Sequence, residues 1–487
     1  MNRKPLYLLF MLVVAASLTN AQVTSIHQYE NEYYKENSFQ AKPVEYSVDK
    51  SSKKAQLNKT VFGYLPWWKY LTGSQNYLRY DLLSHIAVFS FEADSLGNIQ
   101  NPLSWPWTDL ITKTKENNVK LVMAVTCFDA NAIHSLFTNE ERRNKLFENF
   151  SQRMQAYGFD GINIDFENVK TADRSTVITT FFIEMRKYFS QKSINPEISF
   201  AAPAANFGGW NFYQIATNLD YIFIMGYDFY GSWSPTTGPS APITGGYFNL
   251  TKSLSNANDF LSVVQNLPHK LILGVPYYGN YWRTKSSNAY AAVDTAKTKK
   301  GFVKSVLFND IISGYNSKEK IWDYLSRTPW IRWQDTTWNQ IWYDNDSSLA
   351  LKYDLAISKN LKGVGIWALG YDDGRNELWN LIERKFAKPT DIETGEIPAQ
   401  IQLYQNYPNP FNPATTISYK VQAPSHISLK VYDVLGNEIA TLVNEFKQPG
   451  YYNSQFSILN FQLTSSLYCY TLRTENYSVT KKMLLLK

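Results

Sequence analysis

The chain has 487 residues, too long for one ordinary core and long enough for two or three domains. Only 18% of its residues are charged, against 14 Trp, 34 Tyr and 28 Phe, which excludes a disordered or nucleic-acid-coating chain. The net charge of +6 falls to about +4 once a leader carrying Arg3 and Lys4 is removed, too little over this length for a nucleic-acid footprint.

The two cysteines, Cys127 and Cys469, lie far apart in sequence, so no disulfide framework is expected. With only five histidines beside them, a structural zinc site is not expected either. No cofactor or metal is suggested. The aromatic richness suits a surface for flat ligands such as sugar rings, and equally an aromatic-rich β core.

Residues 1–21 read MNRKPLYLLFMLVVAASLTNA, a basic start, an apolar run from Leu6 to Leu18 and small residues up to Ala21. This is the pattern of a secretory leader. The apolar run is far short of the roughly 20 residues of a membrane span, and no later stretch is longer, so no transmembrane span is expected. Residues 22–58 are polar and show neither helical nor strand periodicity; they read as a linker or loosely packed arm.

Residues 59–386 alternate. Short apolar runs at 61–68, 85–91, 120–128, 161–167, 198–204, 221–229, 270–279 and 363–370 predict eight strands. Longer amphipathic stretches, such as 139–158 and 175–192, separate several of them. Eight strands alternating with helices over this span fit a closed (β/α)8 TIM barrel better than an open sheet. The wide gap between the seventh and eighth runs predicts a small α+β insertion at about 280–345. A Pro-, Gly- and Thr-bearing linker follows at 387–399.

The run from Asp160 to Glu167 carries the most chemistry. Side chains alternate along a strand, so Asn163, Asp165 and Glu167 share one face, and Ile162, Ile164 and Phe166 the other. Polar groups at the C-terminal end of a barrel strand are where active sites form. Two carboxylates at i and i+2 stand about 6–7 Å apart, given a rise of about 3.3 Å per residue. Enclosed in a barrel mouth they repel, which raises the pKa of one of them, as a general acid requires.

Asp160-Gly161-Ile162-Asn163-Ile164-Asp165-Phe166-Glu167 resembles the D-G-x-x-x-D-x-E signature of glycoside hydrolase family 18, the chitinase family. Met225-Gly226-Tyr227-Asp228, Gly274-Val275-Pro276-Tyr277-Tyr278-Gly279, Gly363 to Trp367, and Gly63-Tyr64 with Pro66 and Trp67 resemble its motifs on other strands, in the family's order. The resemblance implies a retaining hydrolase in which the substrate's own 2-acetamido oxygen attacks the anomeric carbon. It makes Glu167 the general acid and then base, Asp165 the partner of the acetamide N–H, and Tyr227, with Asp228, the group that holds the acetamide in place. Trp367 and Tyr64 are implied as floor and wall of the sugar pocket; Phe89 and Phe91, which alternation places on one face of the second strand, compete for a similar role. Met225 and Tyr278 are further substrate-binding candidates, though Met225 equally suits core packing. Asp160 reads as a supporting turn residue. Trp67, Trp68, Trp210, Trp233 and Trp282 fit sugar subsites and plain packing alike.

Two positions depart from the family. Asn163 stands where many members carry an Asp; it can hydrogen-bond Asp165 but cannot exchange a proton with it. Asn280 stands where an Arg often follows Tyr-Gly, which removes a charged contact to substrate.

Residues 400–487 change character, with short alternating runs at 415–421, 426–434, 438–443 and 467–474. These predict a small immunoglobulin-like β-sandwich. Tyr407-Pro408-Asn409-Pro410-Phe411-Asn412-Pro413, the run at 431–443 and the basic-apolar end at 481–487 resemble the type A sorting domain of type IX secretion. That resemblance implies secretion machinery as a partner and a secreted or cell-surface location; an accessory carbohydrate-binding module is the other reading of such a fold.

The expected function is hydrolysis of β-1,4-linked N-acetylglucosamine glycans, chitin first, by a monomer. Peptidoglycan and N-glycans are alternative substrates. A non-catalytic lectin on the same barrel is a further alternative, weakened because Glu167, Asp165 and Tyr227 are all present.

Overall fold

Runs rich in β-branched and aromatic residues, buried on both faces, can only be strands of a sheet covered on both sides. In the computed structural model they form β1 (Thr60–Pro66), β2 (His85–Ala93), β3 (Lys120–Cys127), β4 (Gly161–Phe166), β5 (Glu197–Pro203), β6 (Tyr221–Met225), β7 (Leu271–Pro276) and β8 (Gly363–Trp367). Each pairs in parallel with its sequence neighbour, and β1 pairs with both β2 and β8, so the sheet closes into an eight-stranded barrel. The residues described are 24–37, 55–295, 301–388, 402–421, 424–448, 450–461, 463–474 and 478–486. The expected leader and all but the first two residues of the linker at 387–399 lie outside them.

Alternation along β4 fixes the two sides of the barrel wall. Phe166 points out against Phe137 and Phe181, at ring distances of 6.0 and 6.2 Å, on helices Ala130–Thr138 and Thr176–Gln191. Asn163 points in. Its Oδ1 accepts from the Tyr64 hydroxyl on β1 at 2.7 Å, and its Nδ2 donates to Ser199 Oγ on β5 at 2.9 Å. The centre is plugged by Phe223 of β6. A Cβ at Gly365 would lie 2.0 Å from that ring, and one at Gly274 2.6 Å from it, so both neighbours must be glycine.

Helix Glu140–Tyr157 occupies the expected 139–158 stretch. Asn139 caps it by accepting from the Arg142 N–H, and Gly158 ends it with a φ of 71°. Between β7 and β8 the chain builds the small α+β insertion. Five antiparallel strands, Tyr278–Thr284, Phe302–Leu307, Glu319–Asp323, Thr328–Gln334 and Trp338–Trp342, flank one helix, Phe308–Gly314.

Three local readings need correction. The run at 221–229 is a strand only to Met225, because the chain turns at Gly226, where a Cβ would meet the Gly274 carbonyl at 2.4 Å, and Asp228 takes a φ of 60°. Phe89 and Phe91 do not share a face, since a register shift between Val88 and Phe91 interrupts the alternation of β2. The third concerns residues 22–58: Ile26–Glu36 is a helix, α1, capped by the Ser25 side chain, and Ile26, His27, Glu30 and Asn31 on it are buried. Its partner is the mouth of the barrel.

The chain divides into two compact units between Thr390 and Asp391. The second holds a three-stranded and a four-stranded antiparallel sheet around a core that includes Ile417, Tyr419, Ile427, Leu429, Leu472 and Met483. Alternate residues of Ala414–Val421 are buried, as one inward face of a sandwich demands. Asn406 ties its proline-rich entry together, donating through Nδ2 to the Pro408 carbonyl and to Thr415 Oγ1, both at 3.0 Å. Among the described residues, no helix is long and apolar enough to cross a membrane.

Candidate active site

The C-terminal ends of β4, β6 and β8 gather the acidic and aromatic candidates. Asp165 is the last inward residue of β4, and Glu167 follows one step beyond the strand, its N–H donating to the Cys127 carbonyl at 3.0 Å. Tyr227 and Asp228 reach the mouth from the turn after β6, and Trp367 closes it from the end of β8. Asp165, Tyr227 and Trp367 are buried, and the Glu167 side chain is 9% exposed.

Burial, and then the charge of Asp165, push the Glu167 carboxyl up to about 8, despite the opposing pull of His27 and of a hydrogen bond with Ser25. The group therefore carries its proton at neutral pH. Asp165 Oδ1 and Glu167 Oε1 are buried and lack a hydrogen-bond partner. Unpaired acceptors of this kind are rare in folded proteins and collect where a ligand is to be received.

Helix α1 lies across this group. His27 Nδ1 is 2.8 Å from Asp165 Oδ2 and 3.4 Å from Glu167 Oε1, and Nε2 is 2.7 Å from the Tyr227 hydroxyl. Burial alone would lower the His27 pKa, but Asp165, with Glu167 and Asp228, outweighs it, and the net direction is upward. His27, Asp165 and Glu167 offer one ligating atom each within 4.8 Å of one another, the one such trio among the described residues. Both imidazole nitrogens are already engaged by Asp165 and Tyr227, which leaves the trio closed on itself rather than open to a cation.

The next turn of α1 is held as firmly. Glu30 accepts from Trp367 Nε1 at 2.9 Å, from the Tyr371 hydroxyl at 2.5 Å and from Ser305 at 2.8 Å. Asn31 accepts from Trp67 Nε1 at 3.1 Å and donates to Glu92 at 3.0 Å. The Ile26 N–H donates to Asp228 Oδ2 at 2.7 Å. None of these α1 residues stood among the sequence candidates. The Ser25 cap and the Tyr29, Tyr33 and Tyr34 spacing were the available signals.

The remaining candidates separate. The Tyr64 ring lies 5.5 Å from His27 and 5.6 Å from Trp367, inside the pocket. Phe89 lies 4.7 Å from Trp367, whereas Phe91 packs on Trp105 and Phe159 away from it. Met225 is partly buried against the core. The Tyr278 hydroxyl donates to Asp228 Oδ1 at 2.6 Å and so fixes that carboxylate, and its ring lies 6.3 Å from that of Tyr227. Asp160 sits at the opposite end of β4, where its carboxylate accepts from the Leu121 N–H at 2.8 Å. Asn163 spends its amide on Tyr64 and Ser199, so the hydrogen bond to Asp165 that its position allowed is not made. Asn280 donates to the Tyr230 carbonyl at 2.9 Å and fastens the insertion instead of facing solvent. Of the tryptophans, Trp67 and Trp68 line the mouth, Trp68 stacking on Tyr34 at 4.9 Å. Trp210 packs on Phe200 and Phe212, Trp282 belongs to the insertion core, and Trp233 folds over Gly231.

Comparison with known proteins bears on this arrangement. The family model described as glycosyl hydrolases family 18 matches residues 60–372. The chain belongs to glycosyl hydrolase family 18. A second model, a secretion system C-terminal sorting domain, matches residues 405–486, so this family 18 barrel is followed by a sorting domain. "Probable chitinase 2" of Drosophila melanogaster is 28% identical over 49% of this chain and 53% of its own length. The class V chitinase of Arabidopsis thaliana is 28% identical over 50% of this chain and 67% of its own. The cortical fragment-lytic enzyme of Bacillus subtilis is 24% identical over 62% and 68%. The chain thus spans about half the length of the fly relative. Among solved structures, the family 18 chitinase of Cycas revoluta in complex with (GlcNAc)3 superposes with a TM-score of 0.58 at 19% identity, over 67% of this chain and 99% of that one. The Bacillus cereus spore cortex-lytic enzyme SleL gives 0.55 at 18% identity, over 68% and 74%. These likenesses share the barrel fold.

Proposed function

We propose that this protein is an exported retaining glycoside hydrolase that cleaves β-1,4-linked N-acetylglucosamine glycans, with chitin as leading substrate. The observation that carries this reading is the convergence of Asp165 and Glu167, Tyr227 and Trp367 from the ends of β4, β6 and β8 on the mouth of the barrel. A protonated acid there can give its proton to a glycosidic oxygen and later take one from water. Asp165 accepts from the 2-acetamido N–H as its carbonyl oxygen closes on the anomeric carbon, and stabilises the positive oxazolinium that forms. Tyr227 holds the acetamide in line, which converts the attack into an effectively unimolecular step. Trp367 supports the face of the reacting sugar, with Tyr64 and Phe89 as walls.

A second substrate is favoured by one observation: the match to the cortical fragment-lytic enzyme covers more of this chain than either chitinase match. Peptidoglycan is therefore tested beside chitin. The sorting domain supports delivery to the cell surface or beyond, after a leader at 1–21 has opened the way to the periplasm.

The test measures products from soluble chitin oligomers and from peptidoglycan glycan strands, beside a Glu167→Gln variant. Because α1 lies across these residues, the intact chain is compared with one cut at an engineered protease site between residues 38 and 54. Cleavage of chitin oligomers that disappears in the variant supports the chitinase reading. Cleavage of peptidoglycan alone keeps the chemistry and changes the substrate. Cleavage of neither by the cut chain refutes the hydrolase reading.

A further inference from the structure

The mouth of the barrel already has an occupant. His27 fills the space over Trp367, with ring centroids 3.8 Å apart and planes inclined at 29°. In that place it meets Asp165 through one nitrogen and Tyr227 through the other. These are the three groups that the proposed mechanism needs for a sugar ring and its acetamide. A protonated imidazole is flat, positive and a donor on two sides, as the oxazolinium is flat, positive and a donor toward Asp165. One turn on, Glu30 takes the indole N–H of the same Trp367. A sugar and α1 cannot occupy this pocket together.

We propose that the barrel mouth is a binding site for the chain's own N-terminal helix, and that α1 is an autoinhibitory segment which copies the charged intermediate. This rests on the hydrolase reading for its physiological meaning, though not for its physical test.

Three features support displaceable docking over a permanent part of the fold. The barrel closes by β1–β2 and β1–β8 pairing without any backbone contribution from α1. The fully buried residues of α1 are polar apart from Ile26, and Tyr29 and Tyr34 are only partly buried against the barrel, so its removal uncovers hydrogen-bonding groups together with aromatic faces such as that of Trp367, a surface suited to a sugar. The fit is also incomplete, since Asp165 Oδ1 has no hydrogen-bond partner beneath the helix and Glu167 Oε1 meets His27 Nδ1 only at 3.4 Å, without a hydrogen bond.

Tethering makes such a segment effective. A short tether holds it at an effective concentration on the order of millimolar. A peptide that binds in trans at about 10 μM would then close the cleft about a hundredfold in cis. Because helix and substrate compete, the effect falls on KM and leaves kcat unchanged.

The experiment uses the full exported chain with a protease site placed between residues 38 and 54, and a soluble chitin oligomer as substrate. Cutting is expected to lower KM at least tenfold at constant kcat, and a synthetic peptide of residues 22–37 is expected to reverse it competitively. In the uncut chain, His27→Ala is expected to raise kcat/KM; a fall would make His27 part of the catalytic apparatus and overturn the proposal. Equal KM before and after cutting would also overturn it. The hydrolase reading is separated by binding alone. If the cut chain hydrolyses nothing, the 22–37 peptide must still bind it by calorimetry and lose affinity at least tenfold in Trp367→Ala. Absence of that binding contradicts the proposal whether or not the chain is an enzyme.

Discussion

The imidazole of His27 lies against the indole of Trp367 at a centroid separation of 3.8 Å, with the planes inclined at 29°. Stacking at that distance requires the two rings to share one narrow slot. The slot is bounded by Asp165 and Tyr227, and its width suits one flat ring. From that geometry follow the roles of the acid, of its neighbour and of the helix that brings the histidine.

Glu167→Gln keeps the size of the side chain and removes the transferable proton. General acid–base groups contribute typically about 10²–10⁴-fold. We expect kcat of the cut chain to fall by that order, with oligomer affinity retained, and thermal unfolding of the cut chain to be unchanged because the contacts of Glu167 with Ser25 and His27 leave with α1. Retained kcat would assign the acid elsewhere.

Glu167 should titrate near 8 in the intact chain, so that its acid form is lost as pH rises through that value. Burial is the first cause and the Asp165 charge the second. Asp165→Asn removes the second and should move the midpoint to lower pH. Carbon-13 NMR of the Glu167 carboxyl reads this directly, and an unmoved midpoint would leave burial as the whole cause.

Docking of α1 should weaken as pH rises. Burial raises the Glu30 carboxyl to about 7 when docked, although Tyr371, Ser305 and Trp367 donate to it; in the free helix it has its ordinary value near 4.5. Docking therefore takes up a proton between those values, and affinity falls across that window. His27, facing Asp165, Glu167, Asp228, Tyr64 and Tyr227, is also raised in the docked state and acts in the same direction. The dissociation constant of the 22–37 peptide should be larger at pH 8 than at pH 5.5. Glu30→Gln should flatten part of this dependence, because its amide can donate to Ser305 while its oxygen still accepts from Trp367 and Tyr371. Tighter binding at pH 8 would contradict proton uptake on docking.

Tyr64→Phe removes the donor that satisfies Asn163 Oδ1 deep in the barrel. A buried acceptor left without its partner costs about 1–3 kcal/mol. The denaturation midpoint should fall accordingly with the slope unchanged. Asn163→Asp, which keeps the Tyr64 bond and lets Ser199 donate, should fold and should change the pH profile of hydrolysis. An unchanged profile would mean that proton exchange at this position plays no part.

The barrel was legible because its strands are written in apolar runs and its helices in amphipathic ones. The acid pair was legible because Asp165 and Glu167 stand at strand spacing beside Ile164 and Phe166. Helix α1 was not, for a physical reason. His27, Glu30 and Asn31 recur at helical spacing, but they are polar residues buried among carboxylates and the polar edges of aromatic side chains, and hydrophobic periodicity marks such residues as solvent-facing. Phe91 was misplaced by a bulge that alternation cannot foresee. The partners of Asn163 and Asn280 depend on which neighbouring strand offers a hydroxyl or carbonyl, and one chain segment does not contain that information.

The most direct test of the central claim is the hydrolysis of chitotetraose by the chain freed of α1, followed by proton NMR of the newly formed anomeric centre, with Glu167→Gln in parallel. The account predicts β product ahead of mutarotation and no product from the variant. Initial α product, or turnover surviving in Glu167→Gln, would contradict it.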